Sequence, residues 1–420
     1  MPTLPTLVVH DSQIARMSLG KQTSACFASD GAQVLHLHLG GLLGRPAGVP
    51  LIAHVAVLDA ADAARAAAGM SDAAAWPEAG GPLVAVVIGV AHDGQRSLEA
   101  WLRLEGSIQR CEVLRVSDGD GLFARTRGLL ETSALAGRTV GIIGVGSGGA
   151  AIAVELAKAG VGRFVLIDPD RLEPANLSRH VCGLSDLGRA KVFAVRDLLL
   201  DRNPNIAVDA LQLDVLHSPD RAREALAGAD LIIGATDDNR SRGWVNRLAL
   251  STKQTAIFGR ALTRAAAGDV LRVRPHAGPC LACVFSAGMD REEEVTSARG
   301  AANGPGYVTE GDRAALIQPG LASDIAPISN MMVRLALVEL SRGTAVSLAS
   351  LDEDLVADLY IWANRRERAY EAWAPMGYGS RTPSVLRWYG ARAERVAECP
   401  ECDPRQGAPV TFAAAAPRWG

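Results

Sequence analysis

Six residues, Gly144-Val145-Gly146-Ser147-Gly148-Gly149, stand between the apolar run Arg138 to Ile143 and the alanine-rich stretch Ala150 to Ala159. The run reads as a buried strand and the stretch as a helix. A chain that turns from one into the other over so few residues needs glycine at the bend. Gly144 permits the tight turn, Gly146 lets the backbone approach a phosphate, and Gly149 lets the helix pack closely on the strand. A phosphate would then rest on the helix N-terminus. Asp168 ends the next apolar run, Arg163 to Asp168, and lies 19 residues after Gly149. A carboxylate placed there can accept hydrogen bonds from ribose hydroxyls. These features specify a nucleotide but leave ATP and a nicotinamide dinucleotide equally open.

Strand and helix patterns continue to alternate. Lys191 to Leu200 and Asp220 to Leu226 read as helices, and Ala207 to Asp214 and Asp230 to Ala235 as strands. Leu129 to Ala136 reads as a short helix leading in. The pattern predicts an α/β fold with a doubly wound, mostly parallel Rossmann-like sheet. Residues 1–120 form a smaller N-terminal α/β module, with strands expected at Gln33 to Leu39, Leu83 to Val90, Ala100 to Leu104 and Cys111 to Val116, and a helix at Ala60 to Ala75. Residues 121–402 form the main domain and 403–420 a tail. Residues 287–312 are polar, charged and glycine-rich, which predicts a mobile crossover loop whose Arg291 to Glu294 is a solvated face. Pro327 to Ser341 reads as a helix apolar along one face.

Chemistry narrows at the polar residues that follow. Asp168-Pro169-Asp170 is succeeded by Asn176-Leu177-Ser178-Arg179, then Gly188-Arg189-Ala190-Lys191, then Thr236-Asp237-Asp238-Asn239. In this order and spacing the chain, from about residue 125 to 402, resembles the ThiF/MoeB/HesA superfamily of adenylating enzymes related to ubiquitin activation. The pattern shared by that superfamily is a glycine turn, D-x-D, N-L-x-R, G-x-x-K and T-D-N. The resemblance implies ATP and Mg²⁺ as cofactors. It places ATP on Gly144, Gly146, Gly148, Gly149, Asp168 and Asp170, and catalysis on Asn176, Arg179, Lys191 and Asp237. Carboxylate attack on an α-phosphate brings two anionic groups together, so cations and donors must be aimed at the developing charge. Arg179 and Lys191 supply charge, Asn176 a neutral donor. The doubled Asp237-Asp238 blurs which carboxylate helps hold Mg²⁺; Asp237 is favoured because it directly follows Thr236. The resemblance also implies a homodimer, often with the helix at Pro327 to Ser341 in its interface. An arginine from just before the first strand, Arg125 or Arg127, would then reach the partner's phosphates. It allows Leu359 to Arg366 to shape a groove for the carrier tail, with a packing role in the core as the alternative.

Seven cysteines are present, four of them in Cys280-Leu281-Ala282-Cys283 and Cys399-Pro400-Glu401-Cys402, about 115 residues apart. Two such knuckles can close one tetrahedral structural Zn²⁺ site, and the resembled superfamily carries the same arrangement. A redox pair or unpaired structural thiols are the alternatives. No cysteine lies between Phe285 and Glu398, where the superfamily's thioester-forming residue usually sits. Cys182, three residues past Arg179, is therefore the candidate thiol, with a small buried cysteine as its alternative reading.

His36-x-His38 resembles the metal-binding pair of a deubiquitinase-type metalloprotease. That chemistry needs a Ser and an Asp downstream and a Glu upstream. Residues 39 to 50 contain neither Ser nor Asp, and no Glu precedes His36, so this module is read as non-catalytic. Net charge is −3, from 43 basic and 46 acidic residues, which offers no footprint for nucleic acid. No long uncharged apolar run argues for a membrane span, and the N-terminus lacks a signal core, so the cytoplasm is the expected location. The expected activity is adenylation of the C-terminal carboxylate of a ubiquitin-like protein, handed on to a conjugating enzyme in a bacterial system, with phage defence as its expected setting. A sulfur-carrier activator, a nicotinamide dehydrogenase and an inactive scaffold are the alternatives.

Overall fold

A computed structural model describes residues 4–38, 48–72, 76, 83–116, 121–126, 128–130, 133–262, 265–289, 320–344, 351–365 and 385–403. The chain divides into two compact units, Met1–Ala124 with Asn203–Asn205, and Arg125–Arg202 with Ile206–Gly420.

The first unit is built on one eight-stranded mixed sheet in the order β7-β6-β5-β4-β2-β3-β1-β8. Its strands are β1 (Thr6–His10), β2 (Gly20–Ser29), β3 (Val34–His38), β4 (Val49–Asp59), β5 (Leu83–Val90), β6 (Arg96–Leu104), β7 (Ser107–Arg110) and β8 (Glu112–Val116). Two short helices, α1 (Asp11–Ala15) and α2 (Ala60–Gly69), accompany it, and Asp59 caps α2 by accepting from Ala61 N and Asp62 N. The reading of Ala60 to Ala75 as helix thus overshoots α2. β5 is buried on both faces: Val84, Val86 and Ile88 join one cluster, Leu83, Ala85 and Val87 the other. That explains its unbroken apolar run. On β3, Leu35 and Leu37 are fully buried, while His36 between them points to the opposite face and is half-buried.

The second unit carries a sheet in the order β11-β10-β9-β12-β13-β14-β15-β16. β9 (Thr139–Ile143), β10 (Arg163–Ile167), β11 (Ala207–Leu211), β12 (Leu231–Gly234) and β13 (Thr255–Ala261) run parallel. β14 (Ala267–Val273), β15 (Leu359–Ala363) and β16 (Arg387–Ala391) extend it antiparallel. The helices are α3 (Ser133–Ala136), α4 (Ser147–Lys158), α5 (Lys191–Arg202), α6 (Pro219–Leu226), α7 (Asn239–Thr252), α8 (Leu281–Met289), α9 (Ala322–Leu340) and α10 (Leu351–Asp354). One face of the sheet buries α4, α5 and α9; the other buries α6, α7 and α8. This is the double winding expected of alternating strands and helices.

β9 sits between β10 and β12, so the chain reverses direction of travel across the sheet at this strand. A crevice opens there, at the strands' C-terminal ends. Gly141 on β9 has Leu226 so close that a Cβ would lie 2.3 Å from its Cδ2, which lets α6 press onto the sheet. α9 starts five residues before the expected Pro327, and its buried Ile328, Met331, Met332, Leu335 and Ala336 pack within the unit. One apolar face of the helix is thus used intramolecularly. Tyr360 and Trp362 likewise pack in the core from β15. Ala287 to Met289 close α8, and the rest of the expected crossover loop, with Arg291 to Glu294, lies outside the described residues. Among the described residues no helix is long and apolar enough to cross a membrane.

Candidate functional site

The glycine turn lies in that crevice. α4 begins at Ser147, so the last three residues of the turn are already its first helical residues, and Gly146 is its N-cap without a side-chain cap. The first amide N–H groups of α4 are therefore available to an anion. Gly144 has φ +85°, and a Cβ there would lie 2.6 Å from Ala235 O at the end of β12. A Cβ on Gly149 would lie 1.9 Å from Gly144 O. Gly146 has nothing within 4 Å, consistent with space for a ligand, and Gly148 would meet only Ser329 Oγ at 3.5 Å. Of the four glycines, Gly144 and Gly149 have no steric latitude, whereas Gly146 and Gly148 do. Gly149→Ala is expected to destabilise the unit by about 2–3 kcal/mol, whereas Gly148→Ala should melt near the parent. Thermal unfolding of the two variants checks this, and equal midpoints would refute it.

A cleft of about 710 Å³ extends from the turn, lined on one side by Asp168, Asp170, Asn176, Arg179, Lys191 and the segment Leu213 to Leu216. On the other side it meets Thr236, Asp237, Asp238, Arg240, Arg242, Gly259, Ala261, Gly320 and the N-terminal half of α9. The polar residues singled out by spacing thus converge on one cavity although they span 70 positions, from Asp168 to Asp237.

Asp168, 5% exposed, follows β10 directly. Its Oδ2 accepts from Val145 N at 2.8 Å and its Oδ1 from Asp170 N at 2.9 Å. Burial pushes its carboxyl above the usual range, while Lys191 and the two amides pull the other way. Asp170 Oδ2 accepts from Lys191 Nζ at 2.7 Å, and Asp170 O accepts from Lys191 N at 2.9 Å. The first residue of α5 is thereby tied at two points to the loop after β10, which holds the ammonium at the cleft wall. Asn176 closes a 3₁₀ turn, Pro174–Asn176; its Oδ1 accepts from Glu173 N at 3.0 Å, which turns the amide's NH₂ into its donor edge. Asn176 O accepts from Arg179 N at 2.9 Å and from His180 N at 2.8 Å.

The doubled aspartate divides its roles. Asp238 Oδ1 accepts from Ser241 N at 2.8 Å and caps α7. Asp237 is exposed at the cleft. Thr236 Oγ1 is buried at the same wall and has no hydrogen-bond partner. An orphaned hydroxyl beside a glycine cradle fits a bound nucleotide phosphate or its metal better than it fits an interior kept for packing.

Three residues escaped the spacing argument. His180 is buried, with Nε2 2.9 Å from Val145 O and Nδ1 accepting from Cys182 N at 3.1 Å. Arg242, 4% exposed, lines the cleft from α7 and donates to Asn239 Oδ1 at 3.0 Å, with Arg240 beside it. The signal for each was adjacency: His180 follows Arg179, and Arg240 and Arg242 follow the acidic pair. Cys182 is 5% exposed, packs in the hydrophobic core, and is not among the residues lining the cleft. Burial, reinforced by Asp186, pushes its thiol up to about 12 against the pull of Arg189. That is the opposite of an activated thiolate. Arg125 is exposed and is likewise not among the lining residues; Arg127 lies outside the described residues.

The four knuckle cysteines meet on the α7–α8 side of the sheet. Their sulfurs lie within 4.8 Å of one another, with Cys280–Cys283 and Cys280–Cys399 at 3.7 Å and Cys283–Cys402 at 3.5 Å. Four thiolates about 2.3 Å from a central zinc stand roughly 3.8 Å apart, so the donor set fits a closed tetrahedral Zn²⁺ site. Val396 N donates to Cys283 Sγ and Arg395 Nε to Cys402 Sγ, both at 3.4 Å. Asn246 of α7, fully buried, accepts from Leu281 N at 3.0 Å and donates to Glu401, so one side chain spans both knuckles.

Residues 123–352 match the ThiF family. The chain is 28% identical over 156 residues to ubiquitin-like modifier-activating enzyme 5 of Caenorhabditis briggsae, covering 35% of this chain and 36% of the relative. It is 34% identical over 119 residues to a probable adenylyltransferase/sulfurtransferase, MoeZ, of Mycobacterium tuberculosis, covering 28% of this chain and 30% of the relative. The chain thus spans about a third of the length of these relatives. Among solved structures, Escherichia coli MccB aligns with a TM-score of 0.46 and 18% identity, over 67% of this chain and 69% of that one.

Proposed function

Because the chain belongs to the ThiF family, matched over residues 123–352, we propose that it binds ATP in the cleft at the ends of β9 and β12 and adenylates the C-terminal carboxylate of a ubiquitin-like protein. The observation that carries this reading is the convergence of Asp168, Asn176, Arg179, Lys191 and Asp237 on one glycine-cradled cavity. In this reading Asp168 receives the ribose hydroxyls and α4 the phosphates. One oxygen of the incoming carboxylate bonds to the α-phosphorus, the bond to the bridging oxygen breaks, and pyrophosphate leaves with that electron pair. Arg179 and Lys191 face the charge gathering on the phosphoryl oxygens, and Asn176 donates a neutral hydrogen bond. Mg²⁺, held by Asp237 and by the phosphates, would neutralise the departing pyrophosphate. The small residues Gly259, Ala261, Ala265 and Gly320 also line the cleft, and in this reading a thin, glycine-ended tail passes along them.

A sulfur-carrier protein is the second substrate class, favoured by the kind of relative that combines adenylyltransfer with sulfurtransfer. A nicotinamide cofactor is disfavoured because hydride transfer has no use for two cations at the phosphate end. A homodimer and a downstream conjugating enzyme extend the reading. ATP–pyrophosphate exchange is expected only when a purified carrier of one class is added, and sedimentation of the purified chain tests the dimer. Absence of exchange with carriers of both classes, together with no ATP binding by calorimetry, would defeat the proposal.

A further inference from the structure

We propose that His180, as the neutral tautomer with its proton on Nε2, is a positioning residue that locks the glycine turn to the segment bearing Asn176 and Arg179. The inference rests on the reading of the cleft as an ATP site.

Both ring nitrogens are engaged with backbone. Nδ1 accepts from Cys182 N, so it carries a lone pair, and Nε2 must then donate its proton to Val145 O. Val145 is the residue between the two glycines of the turn that bend and approach the phosphate. Its N–H is taken by Asp168 Oδ2 at 2.8 Å and its C=O by His180 at 2.9 Å. One residue, and with it the two peptide units that flank its Cα, is thus clamped from both ends by side chains lying 23 and 35 residues away. The clamp continues through Asp168 Oδ1 to Asp170 N, and through Asp170 to Lys191. His180 is covalently next to Arg179, so fixing its ring fixes the peptide from which the arginine projects. The cradle and both cations therefore form one hydrogen-bonded unit set before nucleotide arrives.

The lock holds in one protonation state only. A second proton on Nδ1 would face the Cys182 N–H, replacing an acceptor by a donor. Burial, the largest influence on the ring, lowers its pKa, with Lys191 acting in the same direction and the Val145 carbonyl and Asp186 opposing it. Asp168 holds the preceding peptide of the same residue through the Val145 N–H. The ring is held neutral near pH 7, and below the ordinary histidine value the unfolded chain takes up a proton that the native ring resists. Stability and ATP affinity should both fall as the medium is acidified past that point.

The test uses the full chain, with ATP titrated calorimetrically at about pH 8 and about pH 6. His180→Leu removes both contacts and should weaken ATP binding on the order of tenfold at about pH 8, the effect of orphaning a buried carbonyl. His180→Gln places an amide NH₂ where Nε2 stood and should recover most of that loss, with a smaller fall in affinity on acidification than the parent shows. His180→Asn, which restores only the Nδ1 acceptor, should resemble the leucine variant. Ring ¹⁵N shifts of the parent should report the Nε2-protonated tautomer. Leucine and glutamine variants that both bind ATP like the parent, or a ring protonated on Nδ1 alone, would overturn the assignment. Absence of ATP binding by the parent would instead overturn the reading of the cleft. If the leucine variant does not fold, the contrast between glutamine and asparagine still decides.

Discussion

Arg179→Ala is expected to slow ATP–pyrophosphate exchange by about 10²- to 10³-fold, the usual cost of removing one preorganised partner of transition-state charge. The affinity for ATP should change far less, because the guanidinium meets its full load of charge only when the carboxylate and the α-phosphate are forced together. A fall in kcat with little change in KM for ATP is the signature of that role. Arg179→Lys should recover only part of the rate, since an ammonium is a point charge and cannot reproduce a planar fork. The neighbouring Lys191 makes a useful contrast: one of its three donors is already committed to Asp170 at 2.7 Å. Its removal therefore also frees the loop after β10, and it should raise KM as well as lower kcat. Exchange assays on purified Arg179→Ala decide the matter, and a variant as fast as the parent would show that the arginine has been misplaced in the reaction.

Stripping metal from the four-cysteine cluster should cost the second unit several kcal/mol, because the binding free energy of a structural zinc is folding free energy. Cys399→Ser should do the same, lowering the melting temperature by about 10 °C or more. The second knuckle belongs to the segment 385–403, which beyond β16 is tied to the sheet chiefly through Cys399, Cys402 and the contacts of Glu401 with Asn246 and Arg247. Loss of a metal held there would unpin that segment. α7 carries the disturbance toward the cleft, since Asn246 lies two turns beyond the Asp238 cap. Chemistry itself should survive wherever the chain stays folded, as a site closed by four thiolates has no open position for a substrate. Metal analysis of the purified chain and melting with and without chelator test this. A chain that purifies without metal and melts unchanged in chelator would refute it.

Much of the second unit was legible because its signals are local. Val140 to Ile143, Phe164 to Ile167 and Leu231 to Ile233 are buried on both faces, so each prints a short unbroken apolar run. The first unit hid half of its strands for the opposite reason. Gly20-Lys21-Gln22-Thr23-Ser24 is exposed or half-buried and opens β2 with almost no apolar residue. It is a strand because β4 pairs with it from Gly20 to Ala28, a cause that no window of sequence contains. The antiparallel extension β14-β15-β16 was missed likewise, β14 and β15 being paired across the 85 residues between them and β15 and β16 across 23.

By itself the sequence determined which chemical groups this protein owns and in what order they come: a glycine bend, a carboxylate after the next strand, an arginine, a lysine, an acidic pair and two thiol knuckles. Those are properties of residue type and short spacing. Only the tertiary structure decided which of these groups line the cleft and which are engaged elsewhere. It gave Asp238 to the α7 cap, sent Cys182 into the core, paired Asp170 with Lys191, and set His180 against Val145. A hydrogen bond is made or lost within a few tenths of an ångström, and apart from the local Asp238 cap the partners here lie tens of residues apart. Distance of that kind is settled by how strands stack and helices pack, after the local pattern has done its part.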